Sequence, residues 1–527
     1  MNKGLKIFAI ILAAALLIAV AAAFILPIFL EEPLKQALSK EFDKQTVQNY
    51  KLDFTDIDIS LFRRSISVDS ISIQPDSTSP HVKQITATSV SMKGIRLWSL
   101  FGDSFPDFNS ITVIEPNVKI LERDLSSSLF SGNDSGEVNE SVEDLATFAL
   151  FIVNGSGTIN TSDGTELFSI SDISLEAGDV DINKLLNGSE LLFMEHLHIQ
   201  GAGVKWNIQK DFYDLSIGNF SFDKQARSFS IANMALSPLW PKYEFSEAKG
   251  FQLDRIDLDI PELSLSGIDI NSLADKHINV EDLIINEPWM EVFRNKQIDR
   301  KDKSTVKPLL NGLAKSIDFS IGVDSITISG GTIIYGEHKP PSDSSAAISF
   351  NDLEATLSNI RTASHPDFSE DTLKLHVETL FMESAPLTLD VTYPVFNEYD
   401  FHTVKANLGS LDPNIASDIL ARSGFVRVED GLIESLDADF QLNSDSSTGE
   451  ALILYKNLKI SFLDEDTGEQ GIGEKFKDFI ATNFSIKSEN TEPDPTIGKI
   501  SFEREVEKSI FAFWWKSLLS GIQDTIQ

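Results

Sequence analysis

The feature that most constrains this chain is an internal duplication, in which three landmarks occur twice in the same order. Residues 94–100 (GIRLWSL) match residues 267–273 (GIDINSL) at an offset of 173, Glu115-Pro116 matches Glu287-Pro288 at 172, and residues 155–159 (GSGTI) match residues 330–334 (GGTII) at 174 to 175. A chance match would not keep three landmarks at one spacing. We therefore predict a first β repeat at residues 51–223, a second at residues 224–400 and a further β region at residues 401–500.

Apolar and polar residues alternate through much of both repeats. The alternation begins at Leu52 and continues to Ile73, and it returns at residues 256–270 and 317–328. A period of two is typical of strands with one buried face. The pattern slips by one residue near Asp56, Arg63 and Ser70, which indicates a bulge or a turn at each point.

The predicted fold is mainly β: a long folded-over antiparallel sheet with an apolar groove, a few short helices and a helix at each end. The inward positions of the alternating strands are the candidates for the groove lining. They are Ile57, Ile59, Leu61, Ile66, Val68, Ile71, Ile73, Ile256, Leu258, Ile260, Ile317, Phe319, Ile321, Ile326 and Ile328.

The N-terminus carries an apolar segment. Lys3 and Lys6 precede 24 uncharged residues, 7–30. As a helix these would extend about 36 Å at ~1.5 Å per residue, which exceeds a hydrocarbon core of ~30 Å. We predict a transmembrane anchor at residues 1–30, oriented by the lysines so that the bulk of the chain lies outside the cytoplasm. A cleaved signal peptide ending near Ala21-Ala22-Ala23 is the alternative. Residues 31–50 are predicted as a juxtamembrane helical segment, with its helix at residues 34–42.

Each Glu-Pro pair is followed by a polar break and a short apolar segment. The breaks cover residues 124–141 and 295–307, and helices are predicted at residues 142–151 and 309–316. Proline cannot donate to a ladder, so Glu-Pro is predicted at the start of a strand or on a blunted sheet edge. Two further short helices are predicted at residues 414–423 and 474–480.

The C-terminal segment, residues 501–527, is predicted to end in an amphipathic helix at residues 506–526. Its predicted apolar face consists of Phe511, Trp514, Leu518, Ile522 and Ile526. The sequence Trp514-Trp515-Lys516 is typical of a helix at a membrane interface. Phe511, Trp514, Trp515 and Leu518 are therefore membrane-interface candidates, and a helix packed on its own sheet is the alternative.

Composition excludes several classes of function. The formal charge of −36 argues against a nucleic-acid partner, because phosphate binding needs a clustered positive surface. The absence of cysteine excludes disulfides and thiol chemistry. His196 and His198 would share one strand face beside Glu195, but nothing nearby supplies a third metal ligand. The sequence thus predicts no catalytic, cofactor or metal site and no enzymatic activity.

These landmarks, taken together with the N-terminal segment, resemble the AsmA-like family of Gram-negative envelope proteins. The resemblance covers the whole chain and includes Gly331-Thr332-Ile333-Ile334-Tyr335 and the passage from residues 431–436 (GLIESL) to residues 455–458 (YKNL). The family often has Asp two residues after the aromatic of the glycine strand. This sequence has Glu337 there, and the first copy has Asp163 in a different context.

The resemblance implies a relative of bridge-like lipid-transfer proteins, with a hydrophobic β-groove in the periplasm between the inner and outer membranes. An apolar groove would shelter acyl chains by the transfer free energy that buries side chains, roughly 10 kcal/mol for a tail of about 16 carbons. The expected function is holding or transferring phospholipid for outer-membrane biogenesis, from a single-pass anchor in the inner membrane. The alternative is an assembly factor for outer-membrane proteins that binds envelope proteins at its sheet edges. An anchored hydrolase has almost no support in the sequence.

Overall fold

The structure is a computed structural model. It describes residues 46–47, 50–60, 63–75, 82–96, 108–121, 147–180, 194, 196–208, 212–270, 276–301, 306–340, 342–418, 421, 426–462 and 487–526. The predicted anchor at residues 1–30, the predicted helices at residues 34–42 and 474–480, and the groove candidate Leu61 lie outside these residues. Within them, every helix is too short or too polar to cross a membrane.

The chain divides into two compact units. Unit 1 comprises Met1–Met234 and Ser266–Leu273, and unit 2 comprises Ala235–Leu265 and Ala274–Gln527. The predicted boundary between the repeats, at residues 223 and 224, was inferred from sequence landmarks, whereas the two units are defined by their compactness. The fold within each unit is mainly β with few helices, which confirms the predicted class.

Unit 1 contains eleven strands and most of a twelfth among its described residues. They are β1 (Thr46–Val47), β2 (Tyr50–Asp53), β3 (Asp56–Ser60), β4 (Ser65–Pro75), β5 (Val82–Lys93), β6 (Ser110–Ile114), β7 (Asn117–Leu121), β8 (Phe148–Asn160), β9 (Glu166–Val180), β10 (His196–Ile208), β11 (Tyr213–Asp223) and β12 (Ser228–Pro238). β1 pairs with β2, so the end of the segment predicted as helical, residues 31–50, is extended. Apolar residues dominate the buried positions of this unit, as in Ile111 and Leu150.

Unit 2 contains the remaining described strands, and three of its α-helices lie wholly within the described residues. The strands are β13 (Asp254–Ser266), β14 (His277–Asn286), β15 (Trp289–Asn295), β16 (Ser320–His338), β17 (Ala346–Arg361), β18 (Leu373–Phe381), β19 (Ala385–Tyr393), β20 (His402–Leu408), β21 (Val426–Leu442), β22 (Ser446–Phe462) and β23 (Gly498–Glu503). The helices are α1 (Glu244–Lys249), α2 (Leu310–Lys315) and α3 (Ile510–Ile526), with 3₁₀ turns at Pro366–Ser369 and Pro413–Ala416. α2, α3 and the second 3₁₀ turn agree with three of the predicted helices.

The sheet in each unit is mixed, whereas an antiparallel sheet was predicted. β6 and β7 both run parallel to β8, and β14 and β15 both run parallel to β16. Parallel neighbours need a crossover of a dozen or more residues. The polar breaks after the two Glu-Pro pairs provide these crossovers. Alternation along one strand carries no information about the direction of its neighbour, so the sequence did not distinguish the two arrangements.

The predicted helix at residues 142–151 is wrong in its described part. Phe148 to Phe151 form the start of β8, paired with β6 and β9. A short apolar run fits a buried strand as well as a helix, and here the sheet decides. Likewise, Ile317 and Phe319 were predicted to alternate within a strand, but both precede β16.

The two Glu-Pro pairs occupy the same structural position. Glu115 has a φ of 50° and its N–H donates to Val153 O at 2.7 Å, while Ser156 N–H donates to Pro116 O at 2.7 Å. In the second copy, the N–H of Glu287, also at φ 50°, donates to Ser329 O at 2.7 Å, and Pro288 O accepts from Thr332 N–H at 2.8 Å. In each copy the strand that begins after the proline, β7 or β15, has a neighbour on both sides, so the predicted blunted edge is wrong and the predicted strand start is correct.

The glycine landmark marks a matching bulge in the long strand. Asn154 (φ 54°) and Gly330 (φ 66°) both have left-handed backbone, which glycine adopts without steric cost. On either side of these bulges Gly155 pairs with Ile173, and Gly331 pairs with Leu353. The repeat is therefore present in the backbone geometry, with a structural offset of 176 at this strand instead of 174 to 175.

The copies also match before the first landmark, over β3 and β4 against β11 and β12. β4 (SISVDSISIQP) and β12 (SFSIANMALSP) have the same length and both end in proline. Ser70 and Asn233 have positive φ at the same point in these strands, and Ser70 is where the alternation was predicted to slip. The same backbone hydrogen bond follows this segment in each copy. The N–H of Ile95 donates to Arg64 O in the first copy, and the N–H of Ile268 donates to Arg227 O in the second.

Candidate functional site

Large apolar side chains of unit 2 form a row across five strands. Leu258 lies opposite Met290, Met290 opposite Ile333, Ile333 opposite Phe350 and Phe350 opposite Phe381. Directly opposed residues point to one side of a sheet, so these five share a face. The ring centroids of Phe350 and Phe381 are 5.7 Å apart. All five side chains are only half-buried.

A second row continues this face along the same strands. Ile326 pairs with Leu357, Ile328 with Ala355, and Ala355 with Val377. Apart from Ala355, these side chains are again half-buried. We call the half-buried members of both rows the open face. It consists of Leu258, Met290, Ile326, Ile328, Ile333, Phe350, Leu357, Val377 and Phe381.

The first repeat provides an internal reference for this exposure. The backbone positions equivalent to Leu258, Met290, Ile326, Ile328 and Phe350 are Ile85, Val118, Leu150, Ile152 and Ile170. All five of these first-copy side chains are buried, while their second-copy counterparts are only half-buried. The same arrangement of strands thus encloses its apolar face in one copy and leaves it accessible in the other.

A charged cluster lies at one end of the open face. Ile256 and Val292 lie opposite each other on β13 and β15, on the side of the open face. Two residues further along these strands, the guanidinium of Arg294 forms an ion pair with Asp254, with Nε 2.5 Å from Oδ1. Arg294 also lies opposite Glu337, which is 5% exposed and forms an ion pair with Lys296. The face therefore changes from hydrocarbon to fixed charge over one step along the strands.

The cluster is electrostatically coupled. Burial raises the pKa of the Tyr335 hydroxyl, and the neighbouring carboxylate of Glu337 raises it further; the hydroxyl donates to Glu337 Oε2 at 2.9 Å. Burial alone would lower the pKa of Arg294, but the hydrogen bond and the negative charge of Asp254, together with the nearby Tyr335 and Glu337, outweigh it and the pKa is raised. Arg294 and Lys296 are each positioned by a carboxylate, of Asp254 and Glu337 respectively. In the first copy, Asp163 lies instead in an exposed turn beside Thr161, whose hydrogen bond lowers the pKa of the carboxyl.

The predicted groove residues divide between this face and other positions. Leu258, Ile326 and Ile328 belong to the open face, and Ile256 lies on the same side of β13. Ile71, Ile73 and Ile260 are buried, whereas Ile57, Ile66, Val68, Ile256, Ile317, Phe319 and Ile321 are half-buried. In unit 1, Ile57 pairs with Val68 and Ile59 with Ile66.

Sequence reasoning missed most of the open face and, apart from Glu337, the charged cluster. Met290, Ile333, Phe350 and Phe381 come from strands whose order in the sheet could not be deduced. The alternation of Leu373, Leu375 and Val377 was a usable signal that was not singled out.

The C-terminal helix α3 packs on the sheet of unit 2 through a line of mostly small residues. Phe513, Ser517, Gly521 and Thr525 are its buried positions. Of the residues predicted to share its apolar face, Trp514, Leu518, Ile522 and Ile526 pack against the core of this unit. Phe511 does not, since it is 71% exposed. The prediction placed Phe511 wrongly because small residues allow close approach on a different side of the helix.

Trp514 takes part in a buried polar stack. Its indole Nε1–H donates to His402 Nε2 at 2.9 Å, and His402 Nδ1 donates to Asp400 O at 2.6 Å. The imidazole ring stacks on Tyr393 with centroids 4.2 Å apart. Of the four membrane-interface candidates, Trp514 and Leu518 thus contact the protein, while Phe511 and Trp515 are exposed.

The two histidines considered as metal ligands, His196 and His198, lie on strand β10 in unit 1. His198 Nδ1 is 3.5 Å from Asp223 Oδ2, and His196 contacts Gln225. No group of three metal-binding side chains occurs within the described ranges.

Comparison with known proteins adds no assignment: no protein-family model matches the chain, and no curated protein matches it.

Proposed function

We propose that this protein holds or transfers phospholipid, with acyl chains lying against the open face of unit 2. The observation that carries the proposal is the unequal burial of the two repeats. Apolar surface left in water costs about 25 cal/mol per Å², so a folded protein gains by covering it. The apolar face of the first copy is buried, whereas large side chains of the second copy are only half-buried. Acyl chains are partners of matching chemistry.

The charged end of the face supports a phospholipid in preference to a neutral lipid. Arg294 and Lys296 lie beside the last apolar positions, where a headgroup phosphate would be when its chains cover the open face. Guanidinium and ammonium groups bind phosphate through charge-assisted hydrogen bonds. Asp254 and Glu337 balance these cations and are complementary to the amine of a zwitterionic headgroup.

Holding lipid in this way needs no covalent step. Each methylene transferred from water gains ~0.8 kcal/mol, so a lipid would rarely leave the face into water. It would move easily between neighbouring apolar positions, because these offer similar environments. We propose the membrane setting from the sequence: residues 1–30 anchor the chain in the inner membrane, and the bulk lies in the periplasm for outer-membrane biogenesis.

A photocrosslinker placed on the open face tests the proposal. Benzoyl-phenylalanine replaces Phe350 in one variant and Ala347 in the control, three residues away on the exposed opposite side of β17. In cells, the Phe350 probe should give phospholipid adducts by mass spectrometry and the Ala347 probe should not. A folded Phe350 variant without lipid adducts would refute the proposal. Adducts with envelope proteins in their place would favour the assembly factor.

A further inference from the structure

Among the described strands, β23 has a neighbour on one side only, which is β22. A strand edge presents a row of backbone N–H and C=O groups that can pair with another chain, so proteins protect such edges. The N–H groups of Lys499 and Ser501 face the outer edge, because both donate to side chains of α3. Glu503 lies two residues further along the strand, so its backbone groups face the same way.

Two side chains of α3 accept the hydrogen bonds of this edge. Lys499 N–H donates to Asp524 Oδ2 at 2.7 Å, and Ser501 N–H donates to Ser520 Oγ at 3.2 Å. The spacings match, since four helical residues rise about 6 Å and two strand residues about 7 Å. The hydroxyl of Ser520 donates to Ser517 O at 2.7 Å, which leaves its oxygen to accept from the strand. α3 therefore satisfies donors that would otherwise be open to a further strand.

Small residues hold α3 close enough for these contacts. Gly521 lies between the two acceptors on the helix, and a Cβ added there would be 2.6 Å from Ile500 Cγ1 and 2.8 Å from Ala451 Cβ. Thr525, one turn further on, donates to Ala451 O at 3.3 Å. The position of α3 thus depends on the missing side chain at Gly521, and a large residue there would push the helix away from β22 and β23.

The covered edge is complementary to a second copy of itself. Lys499, Ser501 and Glu503 are exposed and alternate along β23, so their side chains share one face. If two β23 strands paired antiparallel about Ser501, each Lys499 would lie opposite Glu503 of the other copy. Opposite charges at directly opposed positions stabilise strand pairing. Each of the opposed outward pairs would also exchange both of its backbone hydrogen bonds across a two-fold axis.

We propose that α3 is a cap on the edge of β23, and that its displacement allows β23 to pair antiparallel with β23 of a second copy, centred on Ser501. The capped state makes the edge hydrogen bonds within one chain and keeps the copies apart. The opposed charges of Lys499 and Glu503 select a second copy over an unrelated strand. This inference goes beyond the lipid-holding role of the open face and does not depend on it.

Removal of the two acceptors tests the cap. In the variant Ser520→Ala/Asp524→Ala, α3 offers the edge no acceptor side chain. Hydrogen exchange of the peptide covering residues 498–503, measured in the full-length protein, should accelerate about tenfold at the two outward amides. The matched control Ser520→Thr/Asp524→Asn removes the same charge but keeps an acceptor oxygen at both positions, so it should exchange like the parent protein. Equal exchange in the two variants would show that α3 does not cap the edge.

Displacement of α3 tests the pairing. Gly521→Leu clashes with Ile500 and Ala451, yet leucine favours a helix more than glycine does, so the helix itself is retained. The chain has no cysteine, so Ser501→Cys supplies a single reporter thiol. After oxidation with copper phenanthroline, Gly521→Leu should raise the yield of the disulfide-linked dimer at position 501 several-fold. Gln523→Leu, the matched control on the same helix, should not.

Two further reporters check the register of the pair in the Gly521→Leu protein. Lys499→Cys should not crosslink with itself, because its two copies would be four residues apart, about 13 Å, but it should crosslink with Glu503→Cys of a second chain. Addition of Ser501→Pro to both chains removes the central outward N–H without removing a bond to β22, so it should abolish this crosslink.

Three results would overturn the proposed pairing. If Gly521→Leu forms no more dimer than the parent protein, either the contact at Gly521 does not hold the cap or the uncovered edge does not pair. If Lys499→Cys crosslinks with itself as well as with Glu503→Cys, the register is wrong. If Ser501→Pro leaves the crosslink unchanged, the copies associate through apolar surface that the helix uncovers and not through the strand edge. Lipid adducts at position 350 should be the same in all these variants, so failure here is distinct from failure of lipid holding.

Discussion

The unequal burial of the two repeats predicts unequal costs for one substitution made at equivalent positions. Ile152 of β8 and Ile328 of β16 are the same residue type at the same point of the repeat, just before the bulge. Ile152 is 1% exposed, while Ile328 is half-buried on the open face. Replacement of either by alanine removes the same three carbon atoms, so the difference in cost measures the difference in environment.

The magnitude follows from transfer and cavity terms. Ile152→Ala loses buried hydrocarbon and leaves an enclosed cavity, for which a cost of about 3 kcal/mol is expected from the range for Ile→Ala substitutions. At Ile328 the three carbons contribute ~0.8 kcal/mol each only to the extent that they are buried, and no closed cavity forms, giving roughly 1 kcal/mol. The difference of about 2 kcal/mol corresponds to a roughly thirty-fold difference in the local opening constant.

Hydrogen exchange followed by mass spectrometry measures the two costs separately. Peptides from β8 and β9 report on Ile152→Ala, and peptides from β16 and β17 report on Ile328→Ala. Ile→Val at both positions is the milder control and should preserve the ranking. Equal losses of protection, or a larger loss at Ile328, would mean that the open face is as closed as its first-copy equivalent, and the reasoning would fail.

Two further predictions concern the attachment of α3. Burial lowers the pKa of His402, so its neutral form contributes stability above the unfolded pKa of about 6.5 that is lost as pH falls below it. Protonation would also set an N–H of the ring against the indole N–H of Trp514. The protection of α3, corrected for the slower intrinsic exchange at low pH, should therefore decrease from pH 7 to pH 5, and His402→Gln should remove this decrease while leaving a pH-independent cost. An unchanged pH response in that variant would contradict the assignment. Gly498→Val would place side-chain carbon against the backbone of Gly521, so it should loosen α3 severely, by near-ultraviolet circular dichroism and exchange, while Ser501→Val on the same strand should not.

The sequence was sufficient for elements whose physical signal is local. The period of two predicted strands, and the slip at Ser70 coincides with a positive φ inside β4. α3 was predicted from apolar spacing, α2 was predicted as the short segment after the polar break, and both correspond to observed helices. The repeat could be found in the sequence because its landmarks include residues with an unusual backbone conformation. Glu115 and Glu287 have the same positive φ.

Features that depend on neighbours could not be predicted. The parallel pairing of β16 with β14 and β15 is a property of chain crossover, and it brings Ile333 against Met290 from a distant part of the sequence. The charged cluster has the same origin, since Asp254 and Glu337 are separated by more than eighty residues and meet through Arg294. The sequence also does not show how far a side chain is buried, because Ile152 and Ile328 are the same residue type but differ in burial.

The two copies differ in side-chain volume beside the bulge. At the bulge, the first copy places Gly157 opposite Ile170, and the second places Ile333 opposite Phe350 on the same backbone arrangement. An enclosed core at close-packed density has no room for added volume of this size, so such changes would cost strain there. A face that is only half-buried accepts larger side chains without strain and gains apolar area. The larger residues beside this bulge in the second copy are therefore compatible with its lower burial, and they enlarge the surface on which we propose that acyl chains lie.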